Sequence, residues 1–127
     1  MSDCACLYGG YDGCEEGREF FSETTRTARK RWTCYECREH IEPKSHYIHT
    51  AQSEYGDVSV HRTCLCCWEI RKALYCDGWY WGQLWKDITD QIFSQGGMTI
   101  ACLDKLTTPE AKTFIQQRWM DYLGVAR

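Results

Sequence analysis

The sequence predicts a small α+β protein in which a β-hairpin and a helix surround a four-cysteine metal site, with a helical extension packed on them. Two Cys-x2-Cys pairs are separated by 26 residues. The intervening segment contains two stretches rich in β-branched and aromatic residues, and the apolar residues of the last third recur every three or four positions. A length of 127 residues favours one compact domain. Within it we expect a zinc-binding module with an N-terminal cysteine loop over residues 1–76, and the helical extension over residues 77–127.

The metal ligands predicted by the two pairs are Cys34, Cys37, Cys64 and Cys67. Zinc takes four thiolates in a tetrahedron, and two Cys-x2-Cys pairs supply them. Cys64 and Cys67 are three positions apart, so they share one face of the first turn of a helix, whereas Cys66 projects to another side. A cysteine turn, a hairpin and a helix that carries the last two ligands are typical of a treble clef, which is the fold we predict.

The hairpin and its helix lie between and after the cysteine pairs. "SHYIHTA" and "DVSVHR" are predicted strands, and "QSEYGD" between them is a turn. The next segment, "HRTCLCCWEIRKALY", is predicted to be a helix that begins at the cysteines.

Two further helices are predicted in the extension. Apolar residues at three- and four-residue steps indicate a helix over about 81–94. The last helix begins with Thr108 as its cap and Pro109 in its first turn, and it ends at Gly124.

The remaining cysteines predict a second metal site. The N-terminus shows no secretory signal, so we expect a cytoplasmic, reducing setting in which dense cysteine indicates metal before disulfides. Zn²⁺ is therefore the expected cofactor, as one ion or two. A second zinc would tie the acidic N-terminal loop to the core; the alternative is a set of free thiols. The ligands expected for it are Cys4, Cys6 and Cys76, with either Cys66 or Cys14 as the fourth.

Cys102, in "MTIACL", is expected to be a buried core residue and not a ligand.

Residues 4–85 resemble a family of small, mostly uncharacterised zinc-binding proteins of bacteriophages. The motifs that carry the resemblance are Cys4-x-Cys6, Glu19-Phe20, Ala28-Arg29-Lys30, Cys34-x-Glu36-Cys37, Ile41 to Tyr47, and Cys64-x2-Cys67. The chain departs from the family pattern at Lys44, where a glycine is expected, and at Cys76, where a second Cys-x-Cys is expected. The resemblance implies a phage or prophage origin, a place in the host cytoplasm and zinc binding. It implies no activity.

The first function hypothesis is a non-enzymatic accessory protein that binds a host or phage protein. Inhibitors of host defence, including anti-CRISPR proteins, belong to this class. Both cysteine pairs have a structural spacing, and Trp79 and Tyr80 are the aromatic anchors we would expect at such an interface.

The second hypothesis is nucleic-acid binding by a basic segment. Residues 18–31 hold five bases and two acids, and the predicted contacts are Arg26, Arg29, Lys30 and Arg31, beside Trp32. The formal net charge of −3 opposes phosphate binding through the overall field, although a local patch remains compatible with it. A solvated basic stretch that pairs with the acidic N-terminal loop is the structural alternative.

An enzyme is not expected. Four cysteines fill the coordination sphere of zinc and leave no open position for a substrate. His46, His49 and His61 lie in the hairpin, but no Asp-His pair accompanies them. We therefore expect no small-molecule substrate. No apolar stretch approaches the roughly 20 residues of a membrane-spanning helix.

Overall fold

A computed structural model describes residues 4, 6–8, 18–54, 56–76, 79–97 and 99–124 of the chain. These residues form a mixed α+β structure, which confirms the predicted class. The strands are β1 (Arg18–Thr27), β2 (Trp32–Thr33), β3 (His40–Ile41), β4 (His46–Glu54) and β5 (Asp57–Cys64). The helices are α1 (Leu65–Leu74), α2 (Leu84–Gln91), α3 (Ile100–Asp104) and α4 (Pro109–Leu123), with a 3-10 turn at Phe93–Gln95.

The main sheet has three antiparallel strands in the order β1-β4-β5. The hairpin β4–β5 is the one predicted from the sequence, and its register runs from Tyr47 opposite Cys64 to Glu54 opposite Asp57. Gly56 in its turn has a φ of 84°, which glycine adopts without steric cost. Strand β1 pairs with β4 along its length and was not predicted, because "REFFSETTRT" is dominated by charged and hydroxyl side chains.

A second, two-stranded ribbon flanks the first cysteine pair. Strands β2 and β3 place Trp32 opposite Ile41. The Cys34 N–H donates to the Glu39 carbonyl at 2.9 Å, and the Arg38 N–H donates to the Cys34 carbonyl at 3.0 Å. These bonds close a tight turn, so Cys34 and Cys37 lie on the same side of it.

The core is centred on α1. This helix contributes Ile70 and Leu74, and both are fully buried. Helix α2 adds a buried residue pair at the same four-residue step, and so does α4; the pairs are Leu84 with Ile88 and Ala111 with Ile115. One face of each helix therefore meets the others, as the three- and four-residue periodicity predicts. Among the described helices, none is long and apolar enough to span a lipid bilayer.

The C-terminal helix begins and ends as predicted. The Thr108 hydroxyl accepts from the Ala111 N–H at 3.2 Å, and Gly124 ends the helix with a φ of 74°. Glu69 of α1 joins this cap: its carboxylate accepts from the backbone N–H groups of Thr107 (2.6 Å) and Thr108 (3.1 Å) and from the Thr108 hydroxyl (2.6 Å). One side chain of α1 thus fixes where α4 starts.

The Glu69 cap predicts a pH-dependent contribution to stability. Burial alone would raise the pKa of Glu69, but the hydrogen bonds from Thr108 and Thr107 outweigh it and lower the pKa. A depressed folded-state pKa stabilises the protein at neutral pH, and this contribution is lost as the pH falls through that pKa. We expect Glu69→Gln to cost about 1 kcal/mol at pH 7 and to converge with the unmutated protein only once the pH has fallen below the depressed pKa of Glu69. Urea midpoints at several pH values measure this, and a constant difference at all pH values would contradict it.

Candidate metal centre

Four cysteine sulfurs lie together at the junction of the cysteine turn and the start of α1. The Sγ atoms of Cys34, Cys37, Cys64 and Cys67 are all within 4.8 Å of one another. Three of these residues are buried and Cys64 is half-buried. Zn–S bonds of about 2.3 Å in a tetrahedron place sulfurs about 3.8 Å apart. The Cys37 and Cys64 sulfurs are 4.0 Å apart, so the group is positioned to hold a metal ion and is consistent with zinc.

Donors that point at the sulfurs support them as thiolates. The Cys64 N–H donates to the Cys34 sulfur at 3.4 Å, and the Cys67 N–H donates to the Cys64 sulfur at 3.4 Å. Trp85 Nε1 donates to the Cys67 sulfur at 3.3 Å. Cys64 is also the N-cap of α1, so one residue both starts the helix and presents a ligand.

The thiols cannot ionise independently. The pKa of Cys34 is lowered because Cys37, Cys64 and Cys67 donate S–H hydrogen bonds to its thiolate. The pKa values of Cys64 and Cys67 are raised by the same interactions and by burial. Each thiol would have to lose the proton of its hydrogen bond and become negative beside an existing thiolate. Four thiolates at this spacing require a cation among them, which is the chemistry of a structural metal site.

A buried ion pair ties the cysteine turn to the rest of the fold. Glu36, between the first two cysteines of the group, accepts from Arg71 Nη1 at 3.2 Å, and both side chains have 1% exposure or less. The same carboxylate accepts from the backbone N–H groups of Gly82 (3.1 Å) and Leu84 (3.2 Å) at the start of α2. Burial raises the pKa of Glu36 and lowers that of Arg71, so each charge depends on the other for compensation.

Three cysteines of the second predicted set take part in two disulfides. Cys4 is joined to Cys102 and Cys6 to Cys76, with Cα–Cα distances of 4.8 and 5.5 Å. The expected fourth ligand, Cys66, is instead a free thiol on α1, and burial together with Glu110 and Glu69 raises its pKa. The other candidate, Cys14, lies outside the described residues.

Cys102 was expected to be only a core residue. It is buried, but α3 also directs it toward the N-terminal cysteines. No spacing signal joins two cysteines that are 98 positions apart.

The basic segment lies at one end of the main sheet. Arg26 and Arg29 line a cleft together with Trp32 and with Arg62 of β5. Arg62 was not predicted, because it is distant in sequence and reaches the segment only through the strand order. Its guanidinium carbon lies 3.5 Å from the centroid of the Trp32 ring, and Lys30 Nζ lies 4.3 Å from it. The Trp32 ring therefore makes cation–π contacts with both Arg62 and Lys30.

Arg31 takes no part in lining the cleft, since its Nε pairs with the exposed Glu42 carboxylate at 3.4 Å.

The predicted aromatic anchors differ in accessibility. Trp79 is half-buried. The guanidinium carbon of Arg71 lies 3.9 Å from the centroid of the Trp79 ring, and the rings of Trp79 and Trp81 pack in a T-shaped contact. Part of its ring therefore packs beside the buried cation, and less of it than expected is at the surface. Tyr80 is 50% exposed.

The hairpin histidines do not join the metal-ligand group. His61 stacks on Trp81 at 4.1 Å, His46 Nδ1 lies 3.1 Å from the Thr27 hydroxyl, and the group itself consists of four cysteines.

Comparison with protein-family models, with curated proteins and with solved structures finds no match to this chain. The resemblance to phage zinc-binding proteins therefore stays a prediction.

Proposed function

We propose that the four-cysteine group holds a structural zinc ion in a treble-clef module. Support comes from the order of the elements: a cysteine turn between β2 and β3, the hairpin β4–β5, and then α1, which starts at the third ligand and carries the fourth. All four sulfurs lie within 4.8 Å of one another, and four is the number of ligands that a structural zinc takes. Because the coordination is complete, the zinc stabilises the fold and leaves no position for a substrate, which favours a binding protein over an enzyme.

We infer that the module binds the phosphate backbone of a nucleic acid through the basic cleft. The observation that carries this inference is the cleft lined by Arg26, Arg29 and Arg62 around Trp32. Within the described part of the chain, no carboxylate forms an ion pair with any of these three arginines. The cleft therefore concentrates positive charge on a chain whose formal net charge is −3.

The groups beside the cleft support a positive local field. The pKa of the neighbouring His49 is lowered by burial and also by the charges of Arg26 and Arg62. The buried Nε of Arg62 has no hydrogen-bond partner among the described atoms. A guanidinium held over an aromatic ring suits bidentate contact with phosphate oxygens.

Binding to labelled oligonucleotides tests this proposal. We expect the zinc-loaded protein to bind a mixed-sequence strand, single or double, at about 50 mM salt and to weaken as salt rises, because bound phosphates release counterions. Arg26→Ala combined with Arg29→Ala should weaken binding at least tenfold and flatten the salt dependence. Fluorescence anisotropy across a salt series measures both quantities.

The matched control removes the same charge elsewhere. Lys86→Ala combined with Lys112→Ala changes the net charge equally but touches α2 and α4, far along the chain from the cleft. This control should bind like the unmutated protein. Equal losses in both double variants would show that only overall charge matters, and absence of binding at low salt would end the nucleic-acid proposal.

A protein partner is the second candidate, and an exposed sheet edge favours it. Strand β5 lies at one edge of the main sheet, with Val58 66% and Val60 42% exposed. An edge strand that carries exposed valines can accept a further strand from a partner. If the oligonucleotide titrations show no binding, this edge becomes the better-supported contact surface.

A further inference from the structure

We propose that Cys4, Cys6, Cys76 and Cys102, once reduced, form a second four-thiolate site that binds zinc. The two disulfides involve cysteines from three separate segments, and the fourth of these cysteines is Cys102, whereas Cys66 is a free thiol. This inference is independent of the nucleic-acid proposal.

The N-terminal segment is fixed where the three segments meet. The Leu7 N–H donates to the Leu74 carbonyl at 2.9 Å, which places the segment beside the end of α1 just before Cys76. Lys105 Nζ donates to the Cys4 carbonyl at 2.9 Å and ties the segment to the end of α3. Gln91 of α2 exchanges two hydrogen bonds with the backbone of Tyr8, at 2.8 and 2.7 Å.

The two cysteine pairs are neighbours through the N-terminal segment. Cys4 and Cys6 are two residues apart, and a chain of two residues spans at most about 7 Å. Each has its partner's Cα within 5.5 Å. Cys4, Cys6 and Cys102 also line a single cleft beside α2. Within each pair, exchanging a sulfur–sulfur bond of about 2.05 Å for ligand spacing of about 3.8 Å separates the two sulfurs by less than about 2 Å more, which side-chain rotation provides.

The cysteines of the first site are free thiols. Its four sulfurs lie within 4.8 Å of one another and all four are free. An environment that keeps those thiols reduced also acts on the second set. Cys6 and Cys76 are exposed, so a dithiol reductant can reach that pair directly.

Reduction and zinc loading conserve electrons and protons. Two equivalents of a dithiol each give two electrons and two protons, so both sulfur–sulfur bonds break and four thiols form while each dithiol becomes a cyclic disulfide. One Zn²⁺ then binds four thiolates and releases their four protons. The product clamps the N-terminal segment to α1 and α3, as the two sulfur–sulfur bonds do in the oxidised form.

Zinc stoichiometry tests the site. Full-length protein, reduced with a dithiol, reconstituted with Zn²⁺ without oxygen and freed of excess metal, should carry two zinc ions by native mass spectrometry. Cys102→Ser should carry one tightly bound ion and remain folded around the first site. Cys66→Ser, the matched thiol control, should carry two. Cobalt substitution gives a second readout, because each four-thiolate site adds its own sulfur-to-metal absorption.

Two results would overturn the proposal. One zinc per chain in the fully reduced, unmutated protein would show that the four cysteines form two disulfides and no metal site. Two ions retained by Cys102→Ser would assign the fourth ligand to another residue. Should Cys102→Ser fail to fold, Cys6→Ser provides the same loss of one ion at an exposed position.

Discussion

Replacing Cys67 by serine is expected to unfold the segment from the cysteine turn to the end of α1. Cys67 is fully buried, and its sulfur belongs to the four-cysteine group and accepts a hydrogen bond from Trp85 Nε1. Serine is a poor zinc ligand because its hydroxyl stays protonated at neutral pH. The ion would lose one ligand of four. Without a tightly bound ion, the three remaining thiolates would repel one another or take up protons.

The magnitude follows from the coupling of metal binding to folding. Structural zinc contributes roughly 10–16 kcal/mol of apparent binding free energy in small zinc modules. Small domains are stable by only about 5–15 kcal/mol in total. Losing most of the zinc term therefore exceeds what the core around Ile70 and Leu74 can offset, so the variant should be unfolded at 25 °C.

Circular dichroism with parallel zinc analysis measures this effect. Cys66→Ser is the matched control, since it lies one position away on the same helix and is half-buried and free. The control should keep its near-UV spectrum and its zinc, and a strong chelator should unfold it as it unfolds the unmutated protein. If Cys67→Ser kept a native near-UV spectrum and its melting temperature, the structural role of the metal would be refuted.

Local periodicity explains why much of the metal centre is predictable from sequence. The pair Cys64 and Cys67 follows from the three-residue step at a helix start, and the caps at Thr108 and Gly124 follow from short-range backbone chemistry. Each of these features depends on neighbours within four positions. The sequence therefore contains the whole signal for them.

Contacts between distant segments explain what could not be predicted. Arg62 joins the basic segment only because β5 and β1 both flank β4. Cys102 meets Cys4 only because α3 returns to the N-terminal segment. Neither contact produces a spacing pattern in the sequence. The residues around a cysteine in an apolar stretch look the same whether the cysteine packs in the core or forms a bond to another group. The burial of Glu36 could not be predicted either, since glutamate is usually at the surface.

Replacing Glu36 by alanine is expected to be the most destabilising change outside the ligands. The substitution leaves the Arg71 guanidinium buried at 1% exposure without its carboxylate, while its Nε and Nη2 already lack partners among the described atoms. It also removes the acceptor of the Gly82 and Leu84 N–H groups. Breaking a buried pair from one side typically costs about 3–5 kcal/mol.

Two further variants separate charge from capping. Glu36→Gln keeps an oxygen for one backbone N–H but leaves Arg71 uncompensated, so it should lose nearly as much stability as alanine. Glu36→Ala with Arg71→Met removes both charges and should recover part of the loss, because a buried apolar pair avoids the desolvation of a lone cation. The unrecovered part measures the capping of α2 by the carboxylate.

Urea unfolding at saturating zinc measures these differences, with Glu42→Ala as the matched control. Glu42 also pairs with an arginine near the cysteine turn, but its side chain is 55% exposed, and such pairs contribute less than about 1 kcal/mol. The control should therefore unfold close to the unmutated midpoint. A Glu36→Ala midpoint as high as that of the control would mean that the buried pair does not hold the cysteine turn against α1 and α2. The stability of the turn would then have to come from the ligands alone.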